Sequence, residues 1–445
     1  MSTNTPIRLI GHWETMMSEQ RETFVNRGKD KIFDPQMQES IRQLIEEVRT
    51  EGDAAVIRAL QKFDGVDLNG RGLRVADEEY DAARAAISED MLEAIRTAIS
   101  QLRKFNEEQL KHSEWSFESI PGLIVGERST AIASAGLFVP SGKASYPSVL
   151  VQLAVPAVVA GVPKIAVVVP PIPGTNGDVD PAVLVVAQEL GLQGHVYRVN
   201  GPAGIAALAF GTETIPKVLK VVGPGSPAVT CAQVEVQRFG TVSNMLLGPS
   251  ESLILADDSA DPRLLAADLL NEAEHGPDST SILVTTSSDL LERTQGHVAE
   301  QLAQLPEQRR AYASNSIGVN GGAILAETMQ AATEACDAFA AEHMQVVVKD
   351  EEAVLKMLHH AAEILLGQMT TISAANFVLG CPASLPTSGF AKVSSGITAE
   401  SFRKRTAVAK SNRQALEALS STVLLFTEHE GFPAHGAAVS ARLEN

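Results

Sequence analysis

A carboxylate and an imidazole lie three residues apart at Glu272 and His275, within the stretch NEAEHGPD of residues 271–278. Side chains three residues apart share one face of a helix, so both can reach a single ion. The pattern of residues 261–270 predicts an amphipathic helix that is capped by Asp261 and closed by the Gly-Pro pair after His275. The stretch therefore predicts a metal-binding helix end.

A second candidate is the pair Glu342 and His343, which lies between a predicted helix ending near Ala341 and a predicted strand at residues 345–348. α/β sheets bind ligands at such edges, and a Glu-His pair at a turn can serve as general acid and base. The alternative is an exposed polar turn, which residue type alone favours.

The sequence GPGSPA at residues 223–228 fits the pattern G-x-G-x-x-A between a predicted strand and a predicted helix. In that setting glycines let backbone N–H groups approach a pyrophosphate, so Gly223 and Gly225 are candidate cofactor-binding residues. Proline at the second and fifth positions is unusual for this motif, and no acidic residue for the ribose closes a following strand. A plain tight turn is the alternative.

The elements that must position these residues follow an α/β pattern. Hydrophobic residues make up 44% of the 445 residues and aromatic residues 4%, a composition typical of buried parallel sheets. Residues 33–110 have helical spacing, and strands then alternate with helices up to a split near residue 248 and again beyond it. The predicted strands are residues 133–138, 165–169, 196–199, 219–222, 253–256, 282–285, 322–326, 345–348 and 364–366. The predicted helices among them are residues 146–160, 182–190, 201–210, 228–239, 288–304, 328–341 and 351–362, and residues 401–419 are predicted as a basic segment followed by a helix.

Charge and cysteine content narrow the class of protein. The chain carries 36 Lys and Arg against 54 Asp and Glu, a formal net charge of -18, so neither nucleic acid nor an anionic membrane is an expected partner. Cys231, Cys336 and Cys381 lie far apart, which argues against disulfides and for a reducing cytoplasm. The N-terminus has no secretory pattern, and prolines interrupt the longest apolar region, so no membrane span is expected.

The order of short motifs along the chain resembles the histidinol dehydrogenase family. These motifs are GLFVP at 136–140, GPG at 223–225, GPSE at 248–251, EHGPDS at 274–279, AEHM at 341–344, LPTSG at 385–389 and KRT at 404–406. The resemblance covers the chain from about residue 35 to the end. It implies two incomplete Rossmann-like domains with parallel sheets, a helical N-terminal region and an intertwined homodimer with an extended C-terminal tail. It also implies one zinc ion per site and NAD-dependent oxidation of a primary alcohol through an aldehyde to a carboxylate.

By motif position, the resemblance assigns the catalytic roles on water and on the substrate proton to Glu342 and His343. Substrate contacts are assigned to Ser250 and to Glu430, which reaches in from the other subunit. The family histidine before LPT, which contacts substrate, is replaced by Ala383, and this replacement removes a hydrogen-bond donor. The tail residue His435 is also counted among the substrate-binding residues.

The metal ligands implied by the resemblance are Glu272, His275 and Asn376 from one subunit and His435 from the other. The family has glutamine and aspartate where this chain has Glu272 and Asn376, so a carboxylate and an amide have exchanged places and the formal charge is unchanged. Two imidazoles, one carboxylate and one amide can hold a divalent ion, which predicts that Zn²⁺ is retained. A remodelled, metal-free pocket is the alternative.

The family's cofactor-side tyrosine, glutamine and asparagine correspond to Phe138, Ala203 and Ser226. Phe138 keeps a ring for packing, but Ala203 has no hydrogen-bonding side chain, so the affinity or pose of NAD or NADP is expected to differ. The predicted domains are an N-terminal segment (1–32) that packs with the tail or the partner, a first Rossmann-like domain with the metal and catalytic residues (33–137 plus 251–397), a second on the cofactor side (138–250) and a tail that completes the partner's site (398–445).

The combined prediction is a cytoplasmic, homodimeric, zinc-dependent NAD or NADP oxidoreductase that oxidises the primary alcohol of a small polar substrate. Sites that hydrogen-bond their substrates discriminate strongly through those bonds, so the losses at Ala383 and Ala203 imply a substrate other than histidinol. Two alternatives remain open. One is L-histidinol dehydrogenase itself, which makes L-histidine in histidine biosynthesis, with drifted contacts; the other is a catalytically silent homologue that binds a metabolite.

Overall fold

The computed structural model describes residues 6–27, 34–140, 145–243 and 248–444. The predicted boundary between residues 32 and 33 lies outside these ranges. The strands are β1 (Leu9–His12), β2 (Trp115–Ile120), β3 (Leu123–Ala131), β4 (Ala135–Phe138), β5 (Ile165–Val169), β6 (Val196–Arg198), β7 (Lys220–Val222), β8 (Glu251–Ala256), β9 (Thr280–Thr285), β10 (Gly322–Leu325), β11 (His343–Val347), β12 (Glu363–Leu366) and β13 (Arg403–Ser411).

Helices connect most of these strands and form the region before them. The α-helices are α1 (Ser18–Val25), α2 (Pro35–Glu51), α3 (Asp53–Ala59), α4 (Asp77–Ala86), α5 (Glu89–Leu110), α6 (Pro147–Val159), α7 (Pro181–Glu189), α8 (Gly201–Phe210), α9 (Pro227–Val236), α10 (Pro262–Ala273), α11 (Ser288–Leu302), α12 (Glu307–Asn315), α13 (Met329–Phe339), α14 (Glu351–Leu355), α15 (Ile372–Phe377), α16 (Arg413–His429) and α17 (Pro433–Leu443). Single turns of 3-10 or π-helix cover Trp13–Thr15, Leu60–Asp64, Gln237–Phe239, Ser316–Asn320, Phe390–Lys392 and Ala399–Phe402. Among the described residues, no helix is both long enough and apolar enough to span a membrane.

The larger parallel sheet has the strand order β1-β10-β9-β8-β11-β12. Its central strands are buried at every position, for example all six residues of β8 and of β9, because helices cover both faces. The sequence predicted β8 to β12, and the structure confirms them. It did not predict β1, which pairs with β10 of its own chain.

The smaller parallel sheet has the order β6-β5-β4-β7, as in half of a Rossmann fold. The predicted class, α/β with two parallel sheets, is therefore confirmed. The helices of the N-terminal region pack on this smaller sheet: Val48 shares a buried cluster with Val168, and Leu102 shares another with Val167. Val167 and Val168 are adjacent in β5 and point to opposite faces, so helices of the N-terminal region cover both faces of the smaller sheet. This packing corrects the predicted grouping of residues 33–137 with 251–397.

A three-stranded antiparallel sheet, β13-β3-β2, was not predicted. All nine residues of β13 pair with β3, from Arg403 opposite Ala131 to Ser411 opposite Leu123. Eight of the nine β13 residues are exposed, so the strand lacks the alternation of apolar and polar residues that identifies a half-buried strand. The prediction of a basic segment followed by a helix is therefore corrected to a basic strand followed by α16.

Candidate functional site

The predicted metal and catalytic residues of the chain's own core gather at the amino-terminal edge of the larger sheet. His343 begins β11, and Glu342 immediately precedes it. Ser250 precedes β8, and Glu272 lies in the last turn of α10, before β9. Open α/β sheets usually bind ligands at the carboxyl edge, and Glu342 and His343 are predicted from the sequence to lie at such an edge. Here the site lies at the opposite edge, where helices end and the negative end of each helix dipole favours cations.

Three of the four predicted metal ligands lie together. The Nδ2 of Asn376 donates a hydrogen bond of 2.6 Å to Glu272 Oε1, and Glu272 Oε2 lies 3.3 Å from His275 Nδ1. That second contact is close enough for an ion pair, yet His275 Nδ1 is a buried atom with no hydrogen-bond partner. The two groups lie within contact range without the geometry of a hydrogen bond, so a buried imidazole nitrogen with no hydrogen-bond partner stands beside a buried carboxylate.

These residues fit a divalent cation. An orphaned imidazole nitrogen beside a carboxylate that is 1% exposed is the arrangement that a bound cation would satisfy. Within the described residues, no three His, Cys, Asp or Glu side chains form a metal-binding group. That result agrees with the trio, since its third member is the amide Asn376, whose oxygen would have to turn towards the ion. Glu272, His275 and Asn376 thus supply three of the four predicted ligands.

Glu342 is a buried carboxyl group beside the trio. Its Oε2 accepts a 2.9 Å hydrogen bond from the backbone N–H of Glu251, and its side chain is 12% exposed. Burial, together with the nearby charges of Glu272 and Glu251, raises the pKa of Glu342 to about 8, although the His343 charge and the hydrogen bond from the Glu251 N–H oppose the shift. A carboxyl group with a pKa near neutrality suits proton transfer.

His343 is the second buried titratable group of the pair. Its Nε2 lies 3.9 Å from Glu342 Oε1, and its Nδ1 lies 2.7 Å from Glu363 Oε2. Burial lowers the pKa of His343, but the hydrogen bond to Glu363 and the surrounding carboxylates outweigh it and raise the pKa to about 9. Sequence reasoning missed Glu363, although a glutamate at the start of the apolar strand predicted at 364–366 was a visible anomaly.

A buried ion pair behind Glu342 was also missed. Arg27 donates to both carboxylate oxygens of Glu251, at 2.8 and 2.7 Å, and its guanidinium lies 3.3 Å from the centroid of the Phe339 ring. The backbone N–H of Ser388 donates to the same carboxylate at 3.0 Å. The backbone N–H of Glu251 in turn donates to Glu342. The ion pair therefore connects residues 6–27, here called the N-terminal arm, with the Glu342-His343 pair.

The predicted substrate residues of this chain lie close to the same edge. The backbone oxygen of Ser250 accepts a hydrogen bond from Thr280 N at 3.0 Å, and Ser250 is half-buried. The N–H of Ala383 donates to Gln152 Oε1 at 3.0 Å, which joins this loop to α6 and the smaller sheet. The next residue, Ser384, has a buried hydroxyl without a hydrogen-bond partner among the described residues.

The predicted cofactor residues lie at the carboxyl edge of the smaller sheet. Successive strands are added on one side of β4 as β5 and β6, and the next strand, β7, is added on its other side, so the topological switch point lies between β4 and β7. This switch point is the usual ligand crevice of an open sheet. Gly223 has φ +138, and a Cβ there would lie 2.0 Å from Phe138 O, so the loop requires glycine for close approach. Gly225 is equally restricted, because its Cβ would meet the Val229 side chain.

The side chains predicted on the cofactor side differ in accessibility. Phe138 and Ala203 are 1% and 2% exposed and share one core cluster. This burial leaves backbone, together with the exposed Ser226 at the start of α9, as the surface that faces the crevice. A phosphate at this position would meet the N–H groups of a helix start. The expected packing of a cofactor on the Phe138 ring is therefore not available in this structure.

The two predicted tail residues lie outside the chain's own site. Glu430 caps the end of α16, and His435 lies in α17, where its ring is 5.1 Å from that of Phe432. Both residues are exposed. The structure thus brings together Glu272, His275, Asn376, Glu342 and His343, and it leaves Glu430 and His435 apart from them.

Comparison with known proteins gives one consistent result. The family model described as histidinol dehydrogenase matches residues 27–443. A histidinol dehydrogenase homolog of Colwellia psychrerythraea is 38% identical over 429 residues, covering 96% of this chain and 94% of the relative. A histidinol dehydrogenase of a Synechococcus species is 37% identical over 440 residues and 99% of both chains. The crystal structure of histidinol dehydrogenase from Elizabethkingia anophelis superposes with a TM-score of 0.92 at 31% identity, covering 99% of this chain and 98% of that one.

Proposed function

The chain belongs to the histidinol dehydrogenase family of NAD-dependent oxidoreductases that act on CH–OH groups, and we propose that it is a zinc-dependent dehydrogenase for the primary alcohol of a small polar substrate other than histidinol. The observation that carries this proposal is the convergence of Glu272, His275 and Asn376 with the Glu342-His343 pair at one sheet edge. A divalent-cation site beside two buried proton-transfer groups has the parts that alcohol oxidation needs.

The proposed reaction divides between this chain's residues. Glu272, His275 and Asn376 would hold Zn²⁺ and the crevice at Gly223 would hold NAD; when bound, the ion polarises the hydroxyl oxygen and the nicotinamide accepts hydride. In its neutral form, which predominates above the pKa of about 9, His343 would take the hydroxyl proton on Nε2, because Nδ1 is committed to Glu363. If oxidation continues to the acid, the ionised Glu342 carboxylate would take a proton from the water that adds to the aldehyde, and the hydride of the resulting hydrate would pass to a second NAD. The Glu251 N–H holds the Glu342 carboxyl in place for that step.

The proposed substrate differs from histidinol because of the loop at residues 381–385. Where the family resemblance places a substrate-contacting histidine, this chain has Ala383, and the buried hydroxyl of Ser384 has no partner. A site that has lost an imidazole but keeps an unpaired hydroxyl favours a substrate with a hydroxyl or other small polar group over one with an imidazole ring.

Homodimerisation is part of the proposal. The C-terminal arm, which comprises residues 413–443 with α16 and α17, carries exposed apolar side chains such as Leu425 at 68%, Phe426 at 62% and Phe432 at 49%. The arm also holds the two predicted site residues that do not reach the chain's own site, Glu430 and His435. A symmetric dimer in which each arm covers the partner would bury this surface and place both residues at the partner's site.

An absorbance assay for NADH and NADPH tests the activity. The protein is stripped with a chelator, and initial rates are measured with diols, amino alcohols and histidinol, with and without Zn²⁺. We expect zinc-dependent reduction of NAD or NADP with a non-histidinol alcohol. Turnover of histidinol alone would refute the substrate proposal, and no reduction with any alcohol would refute the dehydrogenase.

Metal content and subunit mixing test the site. We expect Glu272→Ala to lose bound zinc, and the neighbouring Glu274→Ala to keep it. For the shared site, Glu342→Gln and His435→Ala proteins are each expected to be inactive, whereas unfolding and refolding them together should restore about a quarter of wild-type activity, since half the dimers are mixed and each has one intact site. If the mixture stays inactive while both proteins refold, His435 does not complete a partner's site.

A further inference from the structure

Glu363 is a buried carboxylate that neither the metal trio nor the catalytic pair includes. In the parallel ladder between β11 and β12, His343 lies opposite Glu363. Side chains at paired positions of adjacent strands lie on the same side of the sheet, so this register places the carboxylate beside the imidazole. Glu363 is 8% exposed and His343 is 2% exposed, so water does not compete for the contact.

The contact fixes which nitrogen of His343 carries a proton. A carboxylate can only accept a hydrogen bond, and Glu363 Oε2 lies 2.7 Å from His343 Nδ1, so Nδ1 must be the donor. In the neutral ring, Nε2 then carries the lone pair. That nitrogen faces Glu342, at 3.9 Å from Oε1, which is the side of the candidate site.

The second oxygen of Glu363 is also held. The thiol of Cys381 donates to Oε1 with a sulfur–oxygen distance of 2.8 Å. Burial, together with the adjacent Glu363 charge, raises the pKa of the Cys381 thiol to about 12, so it stays protonated and remains a donor at neutral pH. Cys381, Glu363 and His343 thus form a chain of two hydrogen bonds that runs from the loop before Ala383 to the catalytic imidazole.

We propose that Glu363 is a positioning residue that holds His343 in the Nδ1–H tautomer, with Nε2 free to accept the substrate's hydroxyl proton, and that the Cys381 thiol orients the Glu363 carboxylate. This inference rests on the proposed role of His343 in alcohol oxidation. A carboxylate behind a catalytic imidazole stabilises its orientation and the imidazolium that forms when it accepts a proton.

The decisive variant is Glu363→Gln, which keeps the shape of the side chain. The Cys381 thiol must still donate, so the new amide oxygen turns towards sulfur and the amide NH₂ faces His343 Nδ1. The ring is then forced to carry its proton on Nε2, where it cannot accept one from substrate. With the alcohol that gives the fastest NADH formation in the panel, we expect kcat to fall about 100-fold or more with little change in KM.

Nitrogen NMR on protein labelled with ¹⁵N-histidine, recorded above the His343 pKa of about 9 so that the ring is neutral, reads the tautomer without any substrate. His343 is assigned from the signal that disappears in a His343→Gln protein, and wild type should show a protonated Nδ1. A bare Nδ1 in wild type overturns the proposal with no variant needed. An unchanged tautomer in Glu363→Gln, or a changed tautomer with unchanged kcat, overturns it as well. If no alcohol reduces NAD, the proposed function fails, whereas the spectrum still decides whether Glu363 sets the tautomer.

Removal of the thiol provides a rescue that a merely structural role would not produce. In the double variant Glu363→Gln with Cys381→Ala, the amide is released from the sulfur and can turn its oxygen to His343 Nδ1. We expect the Nδ1–H signal to return and kcat to recover at least 10-fold over Glu363→Gln. The matched control is Glu300→Gln, which alters a similar contact of 3.2 Å to Nδ1 of the exposed His297 and should change neither readout. A double variant no more active than Glu363→Gln refutes the role of Cys381.

Discussion

Loss of the Arg27 guanidinium should destabilise the protein far more than loss of a surface arginine with the same bonding geometry. Arg27 makes a two-bond contact with Glu251 at 2.8 and 2.7 Å, and the two side chains are 13% and 3% exposed. Arg49 makes a similar two-bond contact with Glu46 at 2.8 and 2.7 Å, but those side chains are 47% and 53% exposed. The pairs differ mainly in burial, so Arg27→Ala and Arg49→Ala form a matched comparison.

The expected magnitude follows from what remains after the substitution. In Arg27→Ala the Glu251 carboxylate stays buried, and the Ser388 N–H is then its only donor among the described residues. Breaking a buried ion pair in this way costs about 3–5 kcal/mol. The contact of the guanidinium with the Phe339 ring contributes about 1 kcal/mol more. Arg27→Lys keeps the charge but not the two-bond geometry, so its cost should be intermediate. Arg49→Ala should cost less than about 1 kcal/mol, the upper range for an exposed pair.

Urea unfolding followed by tryptophan fluorescence measures these differences. Trp13 is 5% exposed and its ring centroid is 6.2 Å from that of Phe24, in the same N-terminal arm as Arg27. Trp115 is 48% exposed and reports on the antiparallel sheet, so a Trp115→Phe background isolates the arm. In Arg27→Ala, the Trp13 emission should shift at lower urea than in wild type. Equal costs for Arg27→Ala and Arg49→Ala would refute the claim that burial makes the Arg27 pair critical.

Three further predictions concern charge and close packing. Burial lowers the Lys220 pKa from 10.5 to about 8, so the unfolded chain binds more protons than the folded chain between these pH values. The free energy of unfolding of wild type should therefore rise by about 3 kcal/mol from pH 8 to 10.5, and urea titration should not find this rise in Lys220→Met. Asn376→Asp places a second carboxylate 2.6 Å from Glu272. In chelator, the Tm of this variant should be lower than that of wild type, and added Zn²⁺ should raise its Tm by more than it raises that of wild type. An increase in Tm no larger than that of wild type would contradict the ligand assignment. Gly223→Ala should lose folding or cofactor affinity, because the new Cβ meets the backbone of β4. In Gly201→Ala the new Cβ has no atom within 4 Å, so this variant should lose only about 1 kcal/mol of stability through the strain of its positive φ. Thermal melts and NADH titration compare the two variants.

Most of the parallel strands could be predicted from the sequence because they are local and apolar. The run Ile165–Val169 is five buried aliphatic residues, and the structure has it as a strand with the same bounds. The exposed strand Arg403–Ser411 could not be recognised in that way, because neither of its faces supplies an apolar period. Its pairing with β3 depends on residues almost 280 positions earlier.

Site residues that belong to sequence motifs could be predicted from the sequence. Site residues that come together only through the register of paired strands could not. Glu272, His275, Glu342 and His343 stand out by residue type beside helix ends or motifs. Glu363 became significant only through the register of β11 with β12. The contact between Arg27 and Glu251 joins residues 224 positions apart, and no local pattern encodes such a distance.

The two parallel sheets present edges of opposite electrostatic character. Helices α10 and α13 end at the amino edge of the larger sheet, so the negative ends of their dipoles lie beside the metal trio and Glu342. Helix α9 begins at the carboxyl edge of the smaller sheet, directly after the Gly223 loop, so its positive end lies beside that loop. The hydrogen bond between Ala383 and Gln152 joins the two sides. A cation favours the first edge and a phosphate-bearing cofactor the second, so the proposed dehydrogenase would hold its metal ion and its cofactor at opposite edges of two sheets and not in the crevice of one sheet.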